Sequence, residues 1–129
     1  MPCASQNMNA KPPLTRLRTL PKAEVHAHLE GCFKPAVLEQ WATQAGVPMP
    51  RRRDQLLQFE GLADFLHFLD WACGLAATRE RLTAMSYGYS RRLADSGAGY
   101  GDVIVNPTRW TAWHGRLPAM IDAIDAGLA

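Results

Sequence analysis

Two histidines stand one residue apart near the start of the chain, in the segment His26-Ala27-His28. Residues i and i+2 of a β-strand point to the same face, about 6.5–7 Å apart. Two imidazoles in this arrangement can bind one metal ion, and zinc takes such nitrogen ligands at bond lengths of about 2.0–2.1 Å. A half-exposed strand with two incidental histidines would show the same pattern, because a pair of histidines alone is a weak motif. Metal binding and an ordinary strand both stay open on spacing alone.

Hydrophobic periodicity places this pair at the end of a predicted strand. Residues Glu24 to Leu29 alternate polar and apolar side chains, which is the period of a strand, and Glu30-Gly31 ends the pattern. Helices are predicted where apolar residues recur every three or four positions between Pro, Thr and Gly residues that mark the ends. The further predicted elements are a helix from Pro35 to Ala45, a linker over 47–60, a helix from Leu62 to Cys73, a helix after Thr78 that ends at Ser96-Gly97, a strand from Tyr100 to Asn106 and a helix from Leu117 onward.

Strands that alternate with helices predict an α/β fold with a parallel sheet, because a strand that returns in the same direction needs a crossover connection. The pattern contains only two such strands. A closed (β/α) barrel needs eight strands and about 250 residues. If the fold is a barrel, we therefore expect the chain to hold its first half or less.

Composition excludes several classes of protein. The 129 residues carry 14 Lys and Arg against 12 Asp and Glu, and the resulting net charge of +2 gives no reason to expect a nucleic acid as partner. The basic runs Arg51-Arg52-Arg53 and Arg91-Arg92 lack interleaved aromatic residues, and we expect a solvated face there. A content of 47% hydrophobic residues excludes general disorder. No apolar run reaches the about 18 residues of a membrane-spanning helix.

The cysteines and the N-terminal residues favour a cytoplasmic protein. Cys3, Cys32 and Cys73 are odd in number and widely spaced, which is typical of free thiols in a reducing compartment. Residues 1–19 contain prolines and no acidic residue, and they lack the apolar core of a signal peptide. We expect residues 1–19 to form a flexible tail and residues 20–129 to form one domain.

The run from Leu20 to Gly31, LPKAEVHAHLEG, strongly resembles the signature LPKxELHxHLxG of the adenosine and adenine deaminase family. That family belongs to the metal-dependent amidohydrolase superfamily. The resemblance continues with decreasing specificity through Lys34-Pro35, Asp64-Phe65-Leu66 and Tyr100–Pro107. It implies a partial TIM (β/α) barrel, with the first two strands and their helices. It also implies a purine deaminase in which one Zn²⁺ activates the water that displaces an exocyclic amino group as ammonia.

The resemblance assigns roles to three residues at the end of the first strand. His26 and His28 take the positions of zinc ligands, and His28 also lines the substrate pocket. Glu30 takes the position of an acidic residue that contacts the substrate. Asp is usual there in adenosine deaminases, whereas Glu looks more like adenine deaminases, so free adenine or a modified purine is a rival substrate to adenosine. The alternative is that Glu30 only begins a loop.

The predicted helix from Leu62 to Cys73 carries an apolar face that includes Leu62, Phe65, Leu66 and Leu69. The resemblance implies that Leu62, Phe65 and Leu66 form a hydrophobic gate over the substrate. Apolar residues at this spacing are usually part of a core, so the gate and the core interpretation both stay open.

A catalytic zinc site takes three protein ligands and an open position. Beyond the first pair only His67 and His114 remain as histidines: His67 is predicted to be solvated, and His114 to line the pocket or to pack on a loop. The family's third histidine and its general-acid glutamate have no counterpart in the sequence, so no catalytic residue is predicted here. We expect an N-terminal fragment that is inactive alone. The alternatives are a non-catalytic interaction module derived from the deaminase fold and an amidohydrolase that acts on a different amine or amide.

Overall fold

The computed structural model describes residues 14–129, and residues 1–13 lie outside the described part. The helices and strands are α1 (Leu14–Thr19), β1 (Ala23–His28), α2 (Pro35–Ala45), α3 (Leu62–Leu75), α4 (Arg79–Asp95), β2 (Tyr100–Ile104) and α5 (Leu117–Leu128). Short 3-10 turns occupy Leu29–Gly31, Arg53–Gln55, Pro107–Arg109 and Thr111–Trp113. The predicted order of strands and helices from β1 onward is confirmed.

Helix α1 lies in the segment that was expected to be a flexible tail. Its six residues are all exposed. The Lys22 side chain donates hydrogen bonds to the backbone carbonyl oxygens of Leu17 and Arg18, at 2.7 and 3.1 Å. Such bonds satisfy carbonyl groups that the end of a helix leaves open. The rest of the predicted tail lies outside the described residues, and the domain boundary at residue 20 stays a prediction.

Strands β1 and β2 form a two-stranded parallel sheet, in which His28 is paired with Ile104. Helices α2, α3 and α4 supply the crossover that a parallel pair needs, so the predicted βα arrangement is confirmed. The ladder is irregular between Glu24 and Ala27, where β1 carries one residue more than β2. This β-bulge comprises Val25 and His26 and ends two residues before His28.

Local capping chemistry sets the ends of the helices. Pro35 occupies the first turn of α2, and Gly46 ends that helix with a left-handed φ of 64°. The Thr78 hydroxyl accepts a hydrogen bond of 3.3 Å from the Arg81 backbone N–H at the start of α4. These ends agree with the predicted ones because each depends on residues within one turn of it. No helix in the described range 14–129 has both the length and the apolar character needed to cross a membrane.

The hydrophobic core lies between the helices and the carboxyl ends of the two strands. Its buried side chains include Leu29, Leu38, Leu56, Phe68, Leu69, Leu82, Met85, Trp110, Trp113, Met120 and Ile124. On α3 the buried side chains all come from Phe68 onward, whereas Leu62 is the first residue of the helix; they are Phe68, Leu69, Ala72, Cys73 and Leu75. Leu62 is 71% exposed and does not belong to the core.

The segment 47–60, predicted as a linker, packs against the core at one point and is anchored at another. Leu56 is fully buried. Arg51 pairs with Asp64 and lies over the Phe59 ring, with 5.3 Å between the guanidinium carbon and the ring centroid. The prediction of a solvated basic run is therefore wrong for Arg51, because a carboxylate and an aromatic ring from later in the chain cover its charge.

Candidate active site

His26 and His28 lie side by side at the carboxyl end of β1. Their ring centroids are 5.1 Å apart, with 68° between the ring planes. Both side chains are exposed. His26 has a backbone φ of 63°, in the left-handed region, and it falls within the β-bulge. Bulges re-aim side chains. The regular alternation assumed from the sequence does not hold at His26, and the bulge sets the direction of its ring.

The donor set in this part of the chain fits an incomplete zinc site. Two neighbouring, exposed imidazoles offer the nitrogen atoms that zinc prefers. No group of three or more His, Cys, Asp or Glu side chains within residues 14–129 is arranged to hold a metal ion. Two imidazoles would be two of the three protein ligands that a catalytic zinc site takes.

The two remaining histidines lie outside this pair. His67 is exposed on α3, as predicted. His114 is also exposed, and its Nε2 atom lies 3.2 Å from the carbonyl oxygen of Pro107. Of the two placements predicted for His114, the structure shows packing on a loop.

Glu30 is the buried acidic group of the site. It lies in the 3-10 turn that follows β1 and is only 2% exposed. Its Oε1 atom accepts a hydrogen bond of 2.8 Å from the Trp110 indole N–H and a second one from the Asn106 backbone N–H. Within residues 14–129 its Oε2 atom has no hydrogen-bond partner, and it lies 3.7 Å from Nδ1 of His28. Residues that follow β2 thus hold Glu30 in the interior. A residue that only begins a loop would not need such buried contacts.

Sequence reasoning missed both partners of Glu30. Trp110 is fully buried and lies 80 positions along the chain from Glu30, and Asn106 lies 76 positions away. Hydrophobic periodicity reports only which residues share a face of one element. The one signal in the sequence was the parallel pairing of the strands, which brings the segments after β1 and β2 to the same edge of the sheet.

A cavity of about 350 Å³ opens beside these residues. Its lining consists of His28, Glu30, Gly31, Phe65, Leu66, Leu69, Asn106 and Arg109. The structure therefore brings four of the predicted site residues together, namely His28, Glu30, Phe65 and Leu66. It places Leu62 elsewhere, exposed at the first position of α3.

Arg109 connects the segment after β2 to α3 at the rim of this cavity. Its guanidinium group donates a hydrogen bond of 2.6 Å to Asp70 and a longer one of 3.4 Å to the carbonyl oxygen of Leu66. Both acceptors belong to α3. The apolar side of α3 is thereby fixed opposite the ends of the strands.

The two described cysteines are free thiols near the site, and Cys3 lies outside the described residues. Burial raises the pKa of the Cys32 thiol, and burial also raises the pKa of the Cys73 thiol. The Cys32 thiol donates a hydrogen bond of 3.4 Å to the carbonyl oxygen of His28. A raised pKa disfavours the thiolate, which is the form that binds metals and attacks substrates.

Comparison with known proteins gives the fold its class. The crystal structure of an adenine deaminase from Arthrobacter aurescens matches 82% of this chain and 34% of that chain, with a TM-score of 0.69 and 23% identity. The structure of the N6-methyl-AMP deaminase from Arabidopsis thaliana matches 90% of this chain and 35% of that chain, with a TM-score of 0.68 and 20% identity. The parallel strands and their helices are therefore part of a TIM-type α/β barrel, as predicted.

Sequence comparison gives the family. The model of the adenosine deaminase family matches residues 21–129. An adenosine deaminase of Enterococcus faecalis is 31% identical over 121 residues, which cover 88% of this chain and 36% of that protein. An adenine deaminase of Caulobacter vibrioides is 28% identical over 116 residues, which cover 87% of this chain and 34% of that protein.

The chain belongs to the adenosine deaminase family, a family of hydrolases. It spans about a third of the length of the curated relatives cited above.

Proposed function

We propose that this chain is part of a zinc-dependent purine deaminase, which removes an exocyclic amino group by hydrolysis and releases it as ammonia. The observation that carries the proposal is the exposed pair His26 and His28 at the end of β1, beside a cavity that Glu30 lines. Membership of the adenosine deaminase family supports the same reaction. A cytoplasmic location, suggested by the free thiols, forms part of the proposal.

His26 and His28 would hold the metal through imidazole nitrogens. A bound Zn²⁺ lowers the pKa of a coordinated water molecule to about 7 and so makes a hydroxide nucleophile available at neutral pH. A third protein ligand and a general acid would come from residues outside 14–129, since the described residues form no larger ligand group. For this reason we propose that residues 1–129 alone do not deaminate purines.

The residues of this chain would bind and orient the purine. Phe65 and Leu66 give the cavity an apolar wall on the side of α3, which suits a flat heterocycle and excludes water from one of its faces. Glu30 and His28 form the polar wall opposite, where the carboxylate can accept a hydrogen bond from an N–H or O–H group of the substrate. The gate role is thus proposed for Phe65 and Leu66, while Leu62 lies too far into solvent to share it.

The choice between adenine and adenosine depends on the space beside Glu30. The glutamate side chain is one methylene longer than an aspartate, but its inward orientation keeps that length within the protein interior. Relatives named as adenosine deaminases and as adenine deaminases both match the chain. We therefore propose a purine base or purine nucleoside as substrate, to be distinguished by rates on adenosine, adenine and an N6-substituted purine.

The test uses the full-length protein that contains this chain. We expect His26→Ala and His28→Ala each to lower the bound zinc well below one per site and to reduce ammonia release from the preferred purine by at least about a hundredfold, because a chelate loses one of its few ligands. Zinc content by elemental analysis and ammonia by a coupled assay give the two measurements.

His67→Ala is the matched control, since His67 is exposed on α3. It should keep both the zinc and the activity. Unchanged zinc content and unchanged ammonia release in both the His26 and the His28 variants would reject the proposed function.

A further inference from the structure

The two oxygen atoms of the Glu30 carboxylate differ in their hydrogen bonding. Two N–H donors bind Oε1, one from the Trp110 indole and one from the Asn106 backbone, whereas Oε2 is buried and has no hydrogen-bond partner in the described part of the chain. A buried acceptor that stays unpaired costs about 1–3 kcal/mol. Nδ1 of His28 lies 3.7 Å from Oε2. The unsatisfied oxygen thus lies on the side of a proposed metal ligand.

Histidines that bind metals generally donate their second ring N–H to a carboxylate or a carbonyl group, which fixes the tautomer and the orientation of the ring. A hydrogen bond from Nδ1 of His28 to Oε2 would satisfy the carboxylate and leave Nε2 as the metal-binding atom. The present distance is longer than a hydrogen bond, and a shortening to about 2.8 Å would make one. Since Oε2 can accept two hydrogen bonds, this contact is compatible with a substrate contact at the same atom.

We propose that Trp110 and Glu30 are positioning residues for the metal ligand His28. The Trp110 indole holds Oε1 of Glu30 in the interior, and this contact directs Oε2 to Nδ1 of His28. The inference rests on the proposed function only in taking His28 as a zinc ligand. It assigns an effect on metal affinity to Trp110, a core residue that does not itself line the cavity.

Trp113 provides a matched control for Trp110. It is also buried, at 2% exposure, and its indole N–H donates a hydrogen bond of 3.0 Å to the carbonyl oxygen of Ala76. Trp110→Phe and Trp113→Phe therefore remove the same atoms and one buried hydrogen bond each. Only Trp110→Phe removes a hydrogen bond from Glu30, whose Oε1 atom then keeps the bond from the Asn106 backbone N–H alone.

The experiment measures the zinc affinity of the full-length protein by competition with a chromogenic chelator. We expect Trp110→Phe and Glu30→Gln each to weaken zinc binding by about tenfold or more, and Trp113→Phe to change it by less than about twofold. The double variant with both Trp110→Phe and Glu30→Gln should bind zinc about as well as Glu30→Gln alone, because both changes break one chain of contacts. A purely structural role of Trp110 would instead give additive losses.

Equal zinc affinities of the Trp110→Phe and Trp113→Phe variants, or additive losses in the double variant, overturn the proposal. If Trp110→Phe fails to fold, Glu30→Gln decides: the proposal requires weaker zinc binding and a shifted indole N–H resonance of Trp110 in the NMR spectrum, and either one unchanged refutes it. Failure of the proposed function has a different signature, because His28→Ala would then leave zinc binding intact.

Discussion

At the scale of single residues, the backbone of His26 is the feature that most needs an explanation. A φ of 63° places a non-glycine residue in a sparsely populated region, at a cost of about 1–3 kcal/mol. His28, two residues later, has an ordinary extended conformation with φ −73° and ψ 115°. Strained conformations of this kind concentrate at functional sites. The bulge thus orients a proposed ligand at the expense of stability.

The different backbone conformations of His26 and His28 predict that glycine substitutions at the two positions have opposite effects on stability. In metal-free protein, His26→Gly should be more stable than His26→Ala by about 1 kcal/mol, because glycine adopts positive φ without steric cost. At His28 the order should reverse, with the Gly variant less stable than the Ala variant by about 0.5–1 kcal/mol. Urea unfolding in the presence of a chelator measures both pairs. The same order at both positions would contradict a left-handed backbone at His26.

At the scale of elements, the start of α3 determines how its apolar side meets the cavity. Gly61 precedes α3 and supplies no side-chain cap. Asp64 in the first turn instead ties the preceding segment to the helix: its Oδ2 atom accepts a hydrogen bond of 3.0 Å from the Glu60 backbone N–H, and its Oδ1 atom pairs with Arg51. At the opposite side Arg109 joins α3 to the segment after β2. Polar contacts from two separate segments therefore fix the helix that carries Phe65 and Leu66.

The Asp64 contacts predict a pH dependence of folding. The hydrogen bond from the Glu60 backbone N–H, together with the Arg51 guanidinium, holds the pKa of the Asp64 carboxyl below its usual value of 3.8. A carboxyl with a lowered pKa in the folded state stabilises the fold fully above its usual pKa, and that stabilisation is lost as the pH falls through the lower folded value. The stability of the wild type should therefore decline more steeply below about pH 4 than that of Asp64→Asn.

Urea unfolding between pH 7 and pH 2.5 checks this prediction. Asp54→Asn is the control, because Asp54 forms an ion pair with Arg52 in which both side chains are largely exposed, and such pairs contribute little. Its curve should run parallel to that of the wild type. A parallel curve for Asp64→Asn as well would show that the Asp64 contacts at the start of α3 do not stabilise the fold through the charge of the carboxylate.

At the scale of the whole molecule, the sheet within residues 14–129 has two strands, and each strand leaves one edge unpaired. Val25 of β1 and Tyr100 of β2 are exposed by 66% and 60%. Unpaired strand edges with apolar side chains are templates for association. The chain also spans only about a third of the length of its curated relatives. The unpaired edges of β1 and β2 are therefore available for pairing with strands of another chain.

We expect residues 1–129 alone to self-associate with rising concentration. A lysine on an edge strand opposes such pairing, so Val25→Lys should reduce association. Leu62→Lys is the control, because Leu62 is equally exposed but lies on α3, away from the sheet. Analytical ultracentrifugation gives the masses. A monomer that unfolds cooperatively without zinc would contradict this expectation and favour the interaction module over a part of an enzyme.

The local sequence was sufficient to predict the helices and strands and to propose His26 and His28 as metal ligands. The alternation before Glu30, Pro35 and Gly46 around α2, and Thr78 ahead of α4 all act within a few residues, so β1, α2 and α4 were predicted with nearly correct ends. The run LPKAEVHAHLEG was likewise enough to indicate the family, since its pattern is contained in twelve consecutive residues.

Only the tertiary structure decided which side chains meet. The bulge at His26 depends on how β1 pairs with β2, the exposure of Leu62 depends on which turns of α3 reach the core, and the burial of Glu30 depends on Trp110, 80 positions away. Periodicity describes one element at a time, whereas each of these features results from the packing of two elements that the sequence keeps far apart. The parallel order of the strands brings them together.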